Sequence, residues 1–219
     1  MKKLVNFLVW TILLAPPVFL WMIWQKLPDS VPMHYNIHGE ADRYGSKSEL
    51  LTVIGVMLIV NIGVYLLLSN LHRIDPRKKY TNENMPVMKR LAFIVVFFLS
   101  VLSCYMIYTA LHTGSNFSGK FMVVITGLLF AALGNYMYNI KPNYFAGLRL
   151  PWTLENEDNW KYTHRIAGRM WFAGGLILTT LAFFLPAKAG FIALIIITAI
   201  IVIVPSVYSY RFYKQHQKG

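Results

Sequence analysis

The chain has one cysteine and only nine acidic residues among 219. A single thiol, Cys104, excludes an intramolecular disulfide and a thiolate metal site. Lying inside an apolar run, it is expected to be a small buried hydrophobe. The shortage of acid is most informative in six stretches, 4–24, 51–69, 91–111, 121–140, 170–187 and 189–210, which contain no Asp or Glu. Carriers driven by protons or sodium usually keep ionisable groups in their spans, so this absence weighs against ion coupling. Long hydrophilic segments are also missing. The longest connections are 25–50, 70–90 and 141–169, which leaves no room for a large soluble domain.

Hydrophobic residues make up 56% of the chain. Each run is about 20 residues long, the length that crosses a hydrocarbon layer of ~30 Å at 1.5 Å per helical residue. The runs lack the polar face of soluble helices. The expected architecture is therefore an all-α membrane protein, a bundle of six transmembrane helices forming one integral membrane domain over 1–219. The N-terminal segment starts with two lysines, as a signal peptide does. Its apolar run is too long for one and ends in Trp21-Met22-Ile23-Trp24, so a retained first helix is expected. Pro16-Pro17 predicts a kink in it.

The formal net charge is +12, which raises the question of nucleic acid. The distribution of charge points to the membrane instead. Sixteen of the 21 basic residues fall on one side of the six runs, among them Lys2, Lys3, Arg77, Lys79, Arg149, Lys161, Arg165, Arg169, Arg211 and Lys218. Lys26, Arg43, Lys47, Lys120 and Lys188 fall on the other. The positive-inside rule then places both N- and C-termini in the cytoplasm, 25–50 outside and 141–169 inside. The basic excess is read as a topology signal and an attraction to the anionic lipid bilayer, with no direct nucleic-acid role. A multi-pass plasma-membrane protein follows. Asn61 and Asn135 are the most polar side chains well inside the runs and are expected to bond between helices, while Gly55, Gly63, Gly127, Gly134, Gly174 and Gly175 are expected to let helices approach.

The loop 25–50 carries turn formers at Pro28, Pro32, Asn36, Gly39 and Gly45, with 31–35 able to extend. Ser46 followed by Glu49 predicts a helix cap. His34, His38, Glu40 and Asp42 are types that bind divalent metal. Their spacing matches no ligand motif, however, and Gly39 breaks the helix that would align two histidines. A folded cap with His34 and Asn36 bonding loop backbone is expected instead, with no metal and no cofactor. Ser30 and Ser46 lack any triad partner, so no catalytic residue is assigned.

In 141–169, Thr153 is expected as an N-cap, with Glu155, Glu157 and Asp158 in the first turns of a helix that runs unbroken into the fifth span. Trp160, His164, Ala167 and Trp171 share one face by spacing. Glu157, Lys161, Arg165 and Arg169 share another, on which Glu157 and Lys161 are expected to pair. The result is an interfacial helix with one face packed and one in water. Trp152, Trp160 and His164 read equally as a docking surface or as packed structural residues.

Two segments carry a family resemblance. LPDSVPMHYNIHGEADRYGSK resembles the small DUF1648 domain that often precedes the core of the SdpI family of bacterial membrane proteins. GLRLPWTLENEDNWKYTHRIAG is similar to that family's most distinctive stretch, with Gly147, Arg149, Pro151, Trp152, Thr153, Trp160, Thr163, His164, Arg165 and Gly168 in place. Leu150 departs from the pattern, which has Thr there. The resemblance spans the whole chain. It implies an immunity and signalling protein, not an enzyme, that protects the cell from a secreted membrane-active peptide toxin and holds a small cytoplasmic repressor at the membrane. By that resemblance toxin would be met outside by His34, Tyr35, Asn36, Gly39, Asp42, Tyr44 and Lys47. The repressor would be met inside by Arg149, Trp152, Thr153, Trp160, Lys161, His164 and Arg165. The alternative is a small-solute or lipid transporter whose path is lined by Pro16-Pro17, Asn61 and Asn135.

Overall fold

The structure, a computed structural model, describes residues 2–112 and 119–216; Lys218 and the side chains of residues 2–5 lie outside what is described. In chain order the elements are α1 (Lys2–Ile23), β1 (Ser30–Tyr35), β2 (Ala41–Ser46), α2 (Lys47–Ser69), α3 (Leu71–Ile74), α4 (Thr81–Leu111), α5 (Gly119–Met137), α6 (Pro151–Glu155), α7 (Glu157–Phe184) and α8 (Ala187–His216). Short 3-10 turns stand at Trp24–Lys26 and Lys78–Tyr80. Among the described residues, six helices (α1, α2, α4, α5, α7 and α8) are long and apolar enough to cross a bilayer. This is the all-α, multi-span membrane fold expected.

All six long helices begin before the apolar stretches that announce them, while α1, α5 and α7 end short of theirs. α4 begins at Thr81, ten residues before the expected span, and α7 begins at Glu157, well before the apolar run at 170 and close to where the interfacial helix was expected. α7 stops where a proline forces it to: Leu185, just before Pro186, adopts the extended backbone (φ −86°, ψ 148°) that proline imposes on its predecessor. α1 continues through Pro16 and Pro17, α4 through Pro86 and α8 through Pro205.

The chain divides into two compact units. The first comprises Met1–Leu67 and Ala92–Gly119. Its main core joins Leu20, Ile23 and Leu27 to Val31, Leu50, Ile54, Ile107 and Ala110, so the strand residue Val31 is buried beside the helix ends. Deeper in the unit, Val9 and Leu13 meet Val96. The Asn61 amide donates to Ser100 Oγ at 3.0 Å and to Val96 O at 3.3 Å, tying α2 to α4. This is the interhelical bond expected of a buried amide in a span. Gly55 and Gly63 do not serve as close-approach points as expected: a side chain on either would meet nothing within 4 Å.

The second unit comprises Leu68–Leu91 and Lys120–Gly219. Its core holds Leu71, Met88, Leu91, Met137, Ile140, Trp160 and Ala167. Here glycine sets the geometry. A Cβ on Gly134 of α5 would come within 2.8 Å of Gly168 O on α7, and one on Gly127 within 2.8 Å of Gly175 O. The two backbones therefore touch along the line Gly127, Ala131, Gly134 against Gly168, Gly175, the small-residue packing that substitutes for the hydrophobic effect in lipid. Adjacent Gly174 points the other way, toward Ile197 and Ile201 of α8. One glycine pair thus lets α7 approach two neighbours at once.

Candidate functional site

The connection between α1 and α2 is a β-hairpin. Ser30 pairs with Ser46, Val31 with Gly45 and Pro32 with Tyr44, with the register shifting around His34. A two-stranded ribbon leaves an open edge on each strand, which accommodates Pro32 without an N–H. The turn is built on Asn36. Its Oδ1 accepts the N–H of His38 at 2.8 Å and of Glu40 at 3.1 Å, and its Nδ2 donates to Glu40 Oε2 at 3.0 Å. Asparagine closes such turns because its short amide reaches the backbone two residues on. Gly39 then adopts φ 81°, where a side chain is disfavoured.

His34 does not bond loop backbone as expected; its Nδ1 lies 2.6 Å from Asp42 Oδ1, an exposed cross-strand pair. Ser46 caps α2 as expected, its Oγ accepting the Glu49 N–H at 3.2 Å. Glu49 also pairs with Arg43, and Lys47 sits 3.2 Å from Asp29. Among the described residues no three His, Cys, Asp or Glu side chains gather as a metal set. Of the residues expected to meet a ligand here, Asn36, Gly39 and Lys47 are occupied in building the hairpin. Tyr44, 56% exposed, and Ile37 are the exposed large apolar residues of the hairpin, and His34 and Asp42 are exposed as well. Tyr35 is half-buried.

The segment between α5 and α7 is irregular, yet its backbone is tied at nearly every step. Asn143, 1% exposed, donates to Lys141 O and Ala146 O and accepts from the N–H groups of Phe145 and Ala146, all at 2.7–3.1 Å. Asn84 of α4 clamps Lys141 from both sides, accepting its N–H at 2.9 Å and donating to its carbonyl at 3.2 Å. Arg77 donates to Leu154 O. Buried backbone groups must be paired, and here side chains take the place of a sheet.

At the centre stand Trp160 and His164, one turn apart on α7. Their rings stack with centroids 4.0 Å apart and planes 18° from parallel. Trp160 Nε1 donates to Ile140 O at 2.7 Å. The Leu148 N–H donates to His164 Nε2 at 3.1 Å, and His164 Nδ1 lies 2.9 Å from Trp160 O. An amide N–H can only donate, so Nε2 is the acceptor and the ring proton sits on Nδ1. Gly147, at φ 102°, presses its backbone against this ring; a Cβ there would collide with Nε2. Thr153 closes the turn: its Oγ accepts the Leu150 N–H at 2.9 Å and lies 2.8 Å from Leu148 O and Leu150 O.

A second buried set joins this motif to α8. Trp152 Nε1 donates to Ser209 Oγ at 3.0 Å, Ser209 Oγ donates to Asn159 Oδ1 at 2.8 Å, and Asn159 Nδ2 donates to Ser209 O at 3.1 Å. Thr163 Oγ1 adds a bond to Asn159 Oδ1 at 3.0 Å. The Trp152 ring lies against Tyr210 and Tyr213. Asn159, Thr163 and Ser209 are each fully enclosed. Such polar networks specify one packing when every member is satisfied.

Two expectations are corrected here. Thr153 does not cap a continuous helix; it lies within the short α6, and Asn156, extended at φ −123°, caps α7 by accepting the Asn159 N–H at 2.8 Å. Pro151 starts α6 early, and the Asx cap starts α7 afresh. Glu157 does not pair with Lys161; it meets Lys79 at 2.7 Å, because the 3-10 turn at Lys78–Tyr80 is brought alongside. Thr153, Trp160 and His164, candidate partner contacts, are buried to 1% exposure or less and shape the loop from within. Arg149, Lys161 and Arg165 are exposed and Trp152 is half-buried. Arg149 is steadied by Tyr144 O at 2.6 Å, and Arg165 lies 5.3 Å over the Tyr138 ring. Asn84, Asn143, Asn159 and Ser209 went unread. The available signal was a polar residue on an otherwise buried face, as with Asn159 beside Trp160.

Comparison with known proteins accords with this division. The SdpI/YfhL protein family matches residues 139–209, from the tied loop to the Ser209 that closes its second network. The domain of unknown function DUF1648 matches residues 11–59, the hairpin with its flanking helices. The chain is 24% identical over 197 residues to the immunity protein SdpI of Bacillus subtilis (strain 168), covering 89% of this chain and 88% of that protein. No solved structure matches the chain. Both segments singled out by motif are thus matched, in a multi-pass bacterial membrane protein.

Proposed function

From a chain that carries a DUF1648 segment followed by an SdpI/YfhL segment, we propose a non-enzymatic immunity and signalling role at the bacterial plasma membrane. Both termini are cytoplasmic in this reading, the hairpin faces out and the tied loop faces in. A secreted membrane-active peptide toxin is met outside by Tyr44, His34 and Asp42 on the hairpin. A small repressor is met inside by the exposed Arg149, Lys161 and Arg165. The observation that carries the reading is the contrast within 139–209: the buried Asn143, Thr153, Asn159, His164 and Ser209 fix the loop and its join to α8, while Arg149, Lys161 and Arg165 stay exposed. A rigid scaffold with exposed charge suits recognition.

The Asn61 Nδ2 bonds to Ser100 and Val96, which tie α2 to α4, support packing rather than a transport path. Expression in a strain sensitive to peptide toxins of this class, with membrane potential as readout, tests the proposal. Protected cells should hold their potential; unchanged depolarisation across several such toxins overturns it.

A further inference from the structure

Beside the place where α5 and α7 touch through Gly134 and Gly168 lies an open cavity of about 370 Å³. Asn135, Tyr138, Arg165, Arg169 and Phe172 line it. Its depth is set by the sequence of both helices. Arg169 is the last charged residue of α7 before an uncharged run that reaches Lys188, and no charge lies on α5 between Lys120 and Lys141. The cavity therefore opens where both apolar runs end, the level at which hydrocarbon gives way to headgroups. Neither arginine belongs to an ion pair among the described residues. Arg165 is positioned over the Tyr138 ring at 5.3 Å.

We propose that this cavity binds the phosphate of an anionic phospholipid. Two guanidinium groups offer forked donors that match phosphate oxygens, and the Asn135 amide adds a third donor. The occupant is a lipid rather than free phosphate because the site continues into apolar surface. Phe172 lines the cavity and Leu176, one turn further along the same face of α7, is exposed. An acyl chain gains from both; an inorganic ion gains from neither. The site shares Arg165 with the proposed repressor surface but goes beyond it, and lipid titration of the purified protein reads it with no repressor or toxin present.

Native mass spectrometry of the purified full-length protein, titrated with dioleoylphosphatidylglycerol or dioleoylphosphatidylcholine, reads the binding. The wild type should retain phosphatidylglycerol preferentially. Arg165→Gln with Arg169→Gln should weaken that binding by about 30-fold, the loss expected for two interfacial cations. The charge-matched control Arg211→Gln with Lys214→Gln on α8 should leave it within about threefold. Asn135→Phe keeps both arginines and fills the opening from an exposed position, so it should also release lipid even if the double variant fails to fold. Equal losses in the arginine pair and the α8 control would reduce the effect to diffuse attraction and overturn the site. Displacement of the lipid by inorganic phosphate at matched ionic strength would overturn the lipid assignment.

Discussion

Replacing His164 with Ala should destabilise the protein by about 2 to 4 kcal/mol. The Leu148 N–H loses its acceptor; a buried donor left unpaired costs about 1–3 kcal/mol. The stack on Trp160 is lost as well, about 0.5–1.5 kcal/mol beyond area. The sharper test uses Gly147, whose backbone the ring touches. Gly147→Ala alone should suffer twice, from a side chain at φ 102° and from collision with Nε2. In the His164→Ala background the collision vanishes and only the conformational cost of about 1 kcal/mol remains. The two substitutions should therefore be non-additive by more than about 0.5 kcal/mol, the double variant being less damaged than the sum. Equilibrium unfolding of the four proteins in one detergent measures this, and hydrogen exchange at the Leu148 amide localises it. Additive losses, or a Leu148 amide that stays protected in His164→Ala, would refute the proposed contact.

Other substitutions probe other parts of the fold. Gly134→Leu should break the α5–α7 contact and yield little monodisperse protein by size-exclusion chromatography, because its Cβ meets backbone; Gly63→Leu, which meets nothing within 4 Å, should purify normally. Leu150→Thr should stabilise by about 1 kcal/mol in thermal unfolding. Leu150 is the N-cap of α6 and has no side-chain oxygen to give; the Thr153 N–H already donates to Leu150 O at 3.0 Å, so a threonine there would accept the Trp152 N–H, the other donor an N-cap serves. Asn36→Ala should accelerate amide exchange at His38 and Glu40 while leaving the global melting temperature nearly unchanged, since the turn is exposed and local.

Much of the site was legible in part. The face shared by Trp160, His164, Ala167 and Trp171 is the more buried face of α7, and Glu157, Lys161, Arg165 and Arg169 are exposed. Helical periodicity carries that information locally. What it could not carry was the choice between docking surface and interior for Trp160 and His164. The deciding partners, Ile140 O and the Leu148 N–H, belong to a loop without periodicity, folded back by Asn143 and Asn84. The hairpin was half visible: extended residues and the Ser46 cap were readable, but the strand at Ala41–Ser46 is polar and short, with no alternation to reveal it.

By itself the sequence determined six spans, because hydrophobicity over about 20 residues leaves a helix no other environment. It also determined the rough ends of those spans and which α7 residues share a face, both consequences of chain-local geometry. Tertiary structure alone decided that Gly134 packs while Gly63 does not, and that Asn159 answers to Ser209, 50 residues away. It alone turned Glu157 from Lys161 to Lys79. Glycine, asparagine and charge each have several satisfactory partners. Which one is taken depends on the elements that close packing brings alongside, a property of neighbours that no single stretch of chain encodes.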